Sequence, residues 1–182
     1  MNYYFLRQAV SILMLPGVVT IIIPVIIVWQ TQQLQIGWRL PFPWNFVPIL
    51  IGVTFLGAGL VLMFQTISLF ITDGKGTLAP WDPTQNLVVR GPYRYVRNPM
   101  ISGVLAILLA EAIIAGSVPL LIYFLFATVL NMIYIPFSEE PGLLKRYGAD
   151  YAEYKQHVPR WIPRGKPWNG WMEDRNQQES IG

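Results

Sequence analysis

The chain has 182 residues, 53% of them hydrophobic and 13% charged, with a mean hydropathy of +0.41 and a formal charge of +3. Soluble domains carry about 25% charge, so this composition excludes a disordered chain, a nucleic-acid-binding domain and a disulfide-stapled secreted fold. The absence of cysteine and the single histidine, His157, exclude thiolate chemistry and a multi-histidine centre, and no bound metal is expected.

Four apolar runs are long enough to cross a bilayer, for which roughly 20 residues are needed. The first, 11–29, holds no charge and carries Pro16 and Pro24, tolerable as kinks among neighbouring helices. It lacks a small-x-small cleavage pattern after Trp29 and is read as a retained helix rather than a signal peptide. The second, 46–72, is uncharged throughout. The third, 100–116, contains Glu111, and the fourth, 118–138, contains Asn131; the Gly116-Ser117-Val118-Pro119 turn between them makes a tight antiparallel hairpin. A carboxylate at Glu111 is costly in lipid and is expected to face the bundle interior, paired with Asn131 or a hydroxyl across the hairpin.

Basic residues concentrate in two stretches, 73–99 and 139–182, which by the positive-inside rule face the cytoplasm together with both termini. Eleven of the 13 basic and nine of the ten acidic residues lie there. The expected location is a plasma membrane, bacterial or archaeal. Neither stretch is long enough to bury a core of its own, so the two should fold on each other and on the membrane face of the bundle.

The first stretch opens with a turn-rich loop, Gly74 to Pro83, followed by a strand-like apolar run at Leu87-Val88-Val89 and then by Gly91-Pro92-Tyr93-Arg94-Tyr95-Val96-Arg97-Asn98-Pro99. Asn98 can cap a helix and Pro99 is preorganised for its first position; the free N–H groups of that helix start favour an anion. Glu139-Glu140 opens the second stretch, either paired with Arg94 or Arg97 or free to hold a cation or sugar hydroxyls. Leu144, Tyr147, Tyr151 and Tyr154 then mark one face of a helix expected to pack on the membrane or the bundle. Trp161, Trp168 and Trp171 alternate with prolines as an extended interfacial segment.

The 91–99 stretch resembles the G-x-Y-x-x-x-R-H-P signature of the isoprenylcysteine carboxyl methyltransferases, integral membrane enzymes related to the phospholipid methyltransferases. The resemblance continues through Glu139-Glu140, through Gly148-Ala149-Asp150-Tyr151-Ala152-Glu153-Tyr154 and through Val158-Pro159-Arg160-Trp161-Ile162-Pro163, in order from 73 to 164. It implies S-adenosylmethionine as methyl donor, with S-adenosylhomocysteine as product. By position it assigns Gln85, Asn86, Leu87, Val88, Tyr93, Arg97, Asn98, Pro99, Met100, Ile101, Glu139 and Glu140 to the cofactor. Arg94, Arg97 and Glu140 are catalytic candidates, and Glu111, Asn131 and Tyr134 are substrate-side candidates.

Two positions depart from the pattern. The family histidine is Asn98, which hydrogen-bonds but does not titrate, and a family arginine four residues before the glutamate is Ile135.

The chemistry of the residues agrees with the resemblance. Transfer from a sulfonium is an in-line displacement that needs no metal and no covalent enzyme intermediate. It depends on alignment, and aromatic faces attract the cation. The expected protein is thus an all-α integral membrane methyltransferase: about four transmembrane helices, a cytoplasmic cofactor-binding loop and a C-terminal helical tail. Its portions are 1–72 (the first two helices), 73–164 (the methyltransferase core) and 165–182 (a polar tail). Its acceptor is lipophilic, enters from the bilayer and is isoprenylcysteine carboxylate-like. The alternative is a phospholipid amine, toward which Ile135 leans because a carboxylate acceptor benefits from a cation. A small transporter or scaffold, with Glu111 and Asn131 as its polar path, is the reading from another class.

Overall fold

The computed structural model describes residues 13–74 and 84–170. Arg7, the loop 75–83, Trp171 and the polar end 172–182 lie outside the described residues. Among the described residues every regular element is helical. π-Helical turns over Leu13–Ile22 lead into α1 (Ile23–Thr31), followed by α2 (Phe46–Thr72), α3 (Pro99–Ala115) and α4 (Val118–Tyr134). A π-turn at Ile135–Glu139 runs directly into α5 (Glu140–His157). The tail helix therefore begins as the continuation of α4, one helical rod from Val118 to Tyr147, and kinks at Gly148, where φ is 57°, before running on to His157.

Composition explains these elements. The two prolines of the first run each remove a backbone donor; the ladder opens into π-turns, and Thr20 gives its hydroxyl to the Pro16 carbonyl at 2.7 Å. With 27 residues, α2 is about 40 Å long, more than the roughly 30 Å of hydrocarbon. With 17 residues, α3 is the most enclosed of the apolar helices: Ile107, Leu108, Ala110 and Ala112 are all buried.

Glycines set how closely α2 and α3 meet. A Cβ on Gly59 would lie 2.7 Å from the Gly103 carbonyl oxygen, and one on Gly103 would lie 3.0 Å from that of Gly59. Small residues let helix backbones approach where lipid supplies no hydrophobic drive. Leu50, Phe64, Ile122 and Phe126 point outward and are exposed, as suits side chains solvated by acyl chains.

The α3–α4 turn is as short as expected. Gly116 takes a left-handed φ of 56° that closes α3, and the Ser117 side chain accepts from the Leu120 N–H. Trp38 donates its indole N–H to the Ile113 carbonyl at 2.9 Å, anchoring the α1–α2 connection to this end. The molecule is an integral membrane protein, with the described parts of the two charge-rich stretches gathered at the opposite end.

Candidate functional site

At that end the α2–α3 connection wraps a short 3-10 turn, Gly91–Arg94, onto the helices. Gly91 has φ 53°, a conformation that favours glycine. Tyr93 is buried and stacks on Phe70 of α2, with ring centroids 5.7 Å apart. Its carbonyl accepts the Tyr154 hydroxyl from α5 at 2.7 Å. Burial, then the neighbouring Tyr154 and Glu139, push the Tyr93 hydroxyl well above its ordinary range.

Residues 159–168 return across this connection as a strap. The Arg97 N–H donates to the Pro159 carbonyl (2.9 Å), Arg164 to Tyr95 (3.0 Å) and Trp168 to Arg94 (3.0 Å). Trp168 is buried against Tyr151, Tyr154 and Val158 rather than lying in an interfacial segment, because this backbone pairing draws it inward. Arg94 is held by the same strap, donating to the Trp168 carbonyl and to the Asn169 side chain.

The double glutamate divides. Glu140 is 3% exposed and meets Arg97 at 2.9 Å, Arg160 at 2.6 Å and Lys155 at 2.9 Å. Burial alone would raise its carboxyl, but the hydrogen bonds from Arg160 and Lys155 and the charges of Arg97 and Arg160 outweigh burial and hold it below the usual carboxylate range. Glu139, half-buried just past the apolar run, has no cation within ion-pair distance among the described residues. Burial, then the charge of Glu140, raises it. Consecutive residues on a helix point about 100° apart, so one faces the strap and the other faces inward.

Inward lies a cavity of about 520 Å³. One wall is a single face of the rod, formed by Asn131, Tyr134, Ser138, Glu139, Leu143 and Tyr147; the other carries Tyr93, Arg97, Asn98, Met100 and Ile101. Its deep part is apolar, bounded by Pro16, Val19 and Val104. Its outer part holds Leu87, Val88, Tyr151 and Tyr154. Arg97 contributes a guanidinium whose Nε is buried and unpartnered. A second cavity of about 480 Å³, beyond the Leu87-Val88 wall, is lined by Asn86, Arg90, Arg94 and Asn169.

Most of the residues expected at the cofactor site thus converge: Leu87, Val88, Tyr93, Arg97, Asn98, Met100, Ile101 and Glu139 line one cavity. Four do not line it. Gln85 is exposed and its N–H donates to the Gly74 carbonyl; Asn86 gives its side chain to the Asp73 carbonyl at 3.1 Å and lines the second cavity. Pro99 is buried at the start of α3, and Glu140 is consumed by its ion pairs. Arg94 lines the second cavity, not the first. The expected strand at 87–89 is an unpaired extended segment. Asn98 occupies the cap position without capping; its side chain donates instead to the Arg160 carbonyl at 3.3 Å.

On the substrate side, Asn131 and Tyr134 line the cavity and Glu111 does not. Asn131 donates to Ala127 on its own helix at 2.8 Å, so the expected Glu111–Asn131 link is not formed, and Glu111 keeps one buried oxygen without a partner. Arg160, Lys155, Phe70 and Trp168 were missed. Arg160 was legible only as part of the Val-Pro ending, and the excess of cations around one glutamate pair was the signal that it contained.

The geometry defines a membrane enzyme site in which one cavity joins a polar end to a lipid-depth end. The phospholipid methyltransferase family model matches residues 47–150, and the chain belongs to that family. It is also 30% identical over 131 residues, 66% of its length, to a phosphatidylethanolamine N-methyltransferase of Phaeosphaeria nodorum. The match covers 13% of that protein, so the chain spans about an eighth of this relative's length. Both comparisons fit the phospholipid alternative better than the isoprenylcysteine reading.

Proposed function

We propose that this chain transfers a methyl group from S-adenosylmethionine to the amine headgroup of a phospholipid, at the cytoplasmic face of the membrane. The observation that carries the reading is Glu139, a carboxylate without an ion-pair partner among the described residues, on a cavity lined mainly by aromatic and apolar side chains, where the described cations Arg97 and Arg146 are engaged by Glu140 and by the Tyr147 ring. A cationic headgroup answers that carboxylate. A carboxylate acceptor would be repelled by it, and Ile135, where the carboxyl methyltransferases carry arginine, is 1% exposed and outside the cavity wall. The family match and the fungal relative support the same acceptor class.

The outer part of the cavity suits the methyl donor. Tyr93, Tyr151 and Tyr154 contribute to the lining of this part, and aromatic rings attract a sulfonium. Arg97 also lines the cavity, and a guanidinium is a charge-assisted donor for a carboxylate. When bound, the donor supplies an electrophilic methyl on sulfur. The protein's part is to orient both reactants along one line, to exclude water by the strap and Trp168, and to let acyl chains leave past Val19 and Val104 into the bilayer. The concentration of arginine and lysine at this end supports its cytoplasmic placement.

The full chain in lipid nanodiscs, given isotopically labelled methyl donor and phosphatidylethanolamine, tests the reading. Label should enter the lipid in a base-stable form, as methylamines do. Base-labile label on a prenylated cysteine would sink it.

A further inference from the structure

We propose that the second cavity is a headgroup site for an anionic phospholipid, whose phosphate is held between Arg90 and Arg94 at the cytoplasmic surface. The site is independent of which acceptor is methylated: the Leu87-Val88 wall separates it from the cavity that holds Glu139.

This cavity, about 480 Å³, opens between the end of α2 and the end of the strap, with Asp73, Asn86, Arg90, Arg94, Trp168 and Asn169 around it. Its cations are only partly engaged. A guanidinium carries five N–H donors in a fixed fork that matches phosphate oxygens. Arg90 uses Nη1 on the two Asp73 carboxylate oxygens, at 3.0 and 3.3 Å. Arg94 uses Nε on the Trp168 carbonyl at 3.1 Å and Nη2 on the Asn169 side chain. Among the described residues, Nε and Nη2 of Arg90 and Nη1 of Arg94 are left for a ligand. The Asp73 carboxylate opposes an anion, but it is already answered by Arg90 and by the Thr72 hydroxyl at 3.0 Å. Two guanidiniums against one carboxylate leave the lining net positive.

Depth and charge together select the occupant. At 27 residues α2 outreaches the hydrocarbon, which is roughly 30 Å thick, so its cytoplasmic end at Thr72 and Asp73 stands at the level of lipid phosphates. Arg90, its side chain 63% exposed, is free to meet one there, while Arg94 is fixed by the strap. A zwitterionic headgroup brings an ammonium as well as a phosphate. With Asp73 taken, no described group in this cavity answers that ammonium, and the anionic headgroup is preferred. A phosphate bound here joins the end of α2, through Arg90 and Asp73, to the strap, through Arg94 and Trp168.

The test uses the full chain in detergent as wild type, R90Q, D73N and K145Q. Each is titrated with phosphatidylglycerol and with phosphatidylcholine, and bound lipid is read by native mass spectrometry. Wild type should hold phosphatidylglycerol about fivefold more tightly than phosphatidylcholine, and R90Q should lose that preference. D73N should bind phosphatidylglycerol about threefold more tightly than wild type, because Arg90 is released to the ligand. K145Q, which removes an exposed charge on α5, should match wild type. Opposite shifts in R90Q and D73N do not arise from misfolding. Millimolar inorganic phosphate, compared with chloride at equal ionic strength, should leave lipid binding unchanged. Equal affinity for the two lipids or an unchanged preference in R90Q would overturn the inference. So would a loss in K145Q as large as in R90Q, which would reduce the effect to general surface charge. Displacement of the lipid by inorganic phosphate would overturn the lipid as occupant and assign the site to a soluble oxyanion.

Discussion

Arg97 donates from one terminal nitrogen to Glu140 at 2.9 Å while its Nε, also buried, points at no acceptor among the described residues. One residue therefore fastens α5 to the α2–α3 connection and also lines the cavity. Removing its anchor should be costly. In E140A, Arg97 (9% exposed) and Arg160 lose their carboxylate, and stripping one partner from a buried pair typically costs about 3–5 kcal/mol. Thermal unfolding in detergent should show a markedly lower midpoint for E140A, with E140Q intermediate. An unchanged midpoint in both would mean that the cluster is not structural.

The same cluster gives the protein an acid limit. The Glu140 carboxyl is held below its ordinary value in the folded chain, so its contribution is complete above the unfolded-chain value, about 4.3. It is lost as pH falls through the lower folded value. The thermal unfolding midpoint should show a late acid step, falling steeply only on strong acidification. E140Q should lack that late acid step.

The α2–α3 crossing has a sharp steric requirement. A side chain at Gly59 meets the Gly103 backbone, which cannot swing aside, whereas nothing lies within 4 Å of a Cβ at Gly57. G59L should force the helices apart at a cost of about 1–3 kcal/mol or more, lowering yield of folded protein in size-exclusion chromatography. G57A, on the same helix, should behave as wild type.

Tyr154 supports the cavity through its hydroxyl. Y154F leaves the Tyr93 carbonyl, buried, without the donor now 2.7 Å away, a loss of about 1–3 kcal/mol. S-adenosylhomocysteine affinity should weaken measurably in Y154F, because the Tyr93 ring, stacked on Phe70, loses its backbone tether. Equal affinity would show that Tyr93 is held by packing alone.

The membrane helices were legible because lipid is a simple solvent. A 27-residue uncharged run between Asn45 and Asp73 leaves no other place to start and stop, and α2 has those bounds. The convergence of Tyr93, Arg97, Asn98 and Glu139 was legible through a resemblance. The split between Glu139 and Glu140 was not, since it depends on which of the two the cations Arg97, Lys155 and Arg160 reach once the chain has folded back. Trp168 was misread for a similar reason. Proline-spaced tryptophans look interfacial in isolation, and only the backbone pairing of 159–168 with 94–97 buries this one. The expected Glu111–Asn131 link failed to form because Asn131 has a nearer acceptor one helical turn away.

The continuous run from Val118 to Tyr147 has a mechanical consequence. Glu139 rides on a lever whose lower arm is set by the bilayer, while Tyr93 and Arg97 belong to the opposite wall. A thicker or thinner membrane that changes the tilt of α4 therefore changes the gap between the two walls. Turnover in nanodiscs of short- and long-chain lipids should pass through an optimum chain length, with the hydrocarbon itself acting as the gauge of the active cleft.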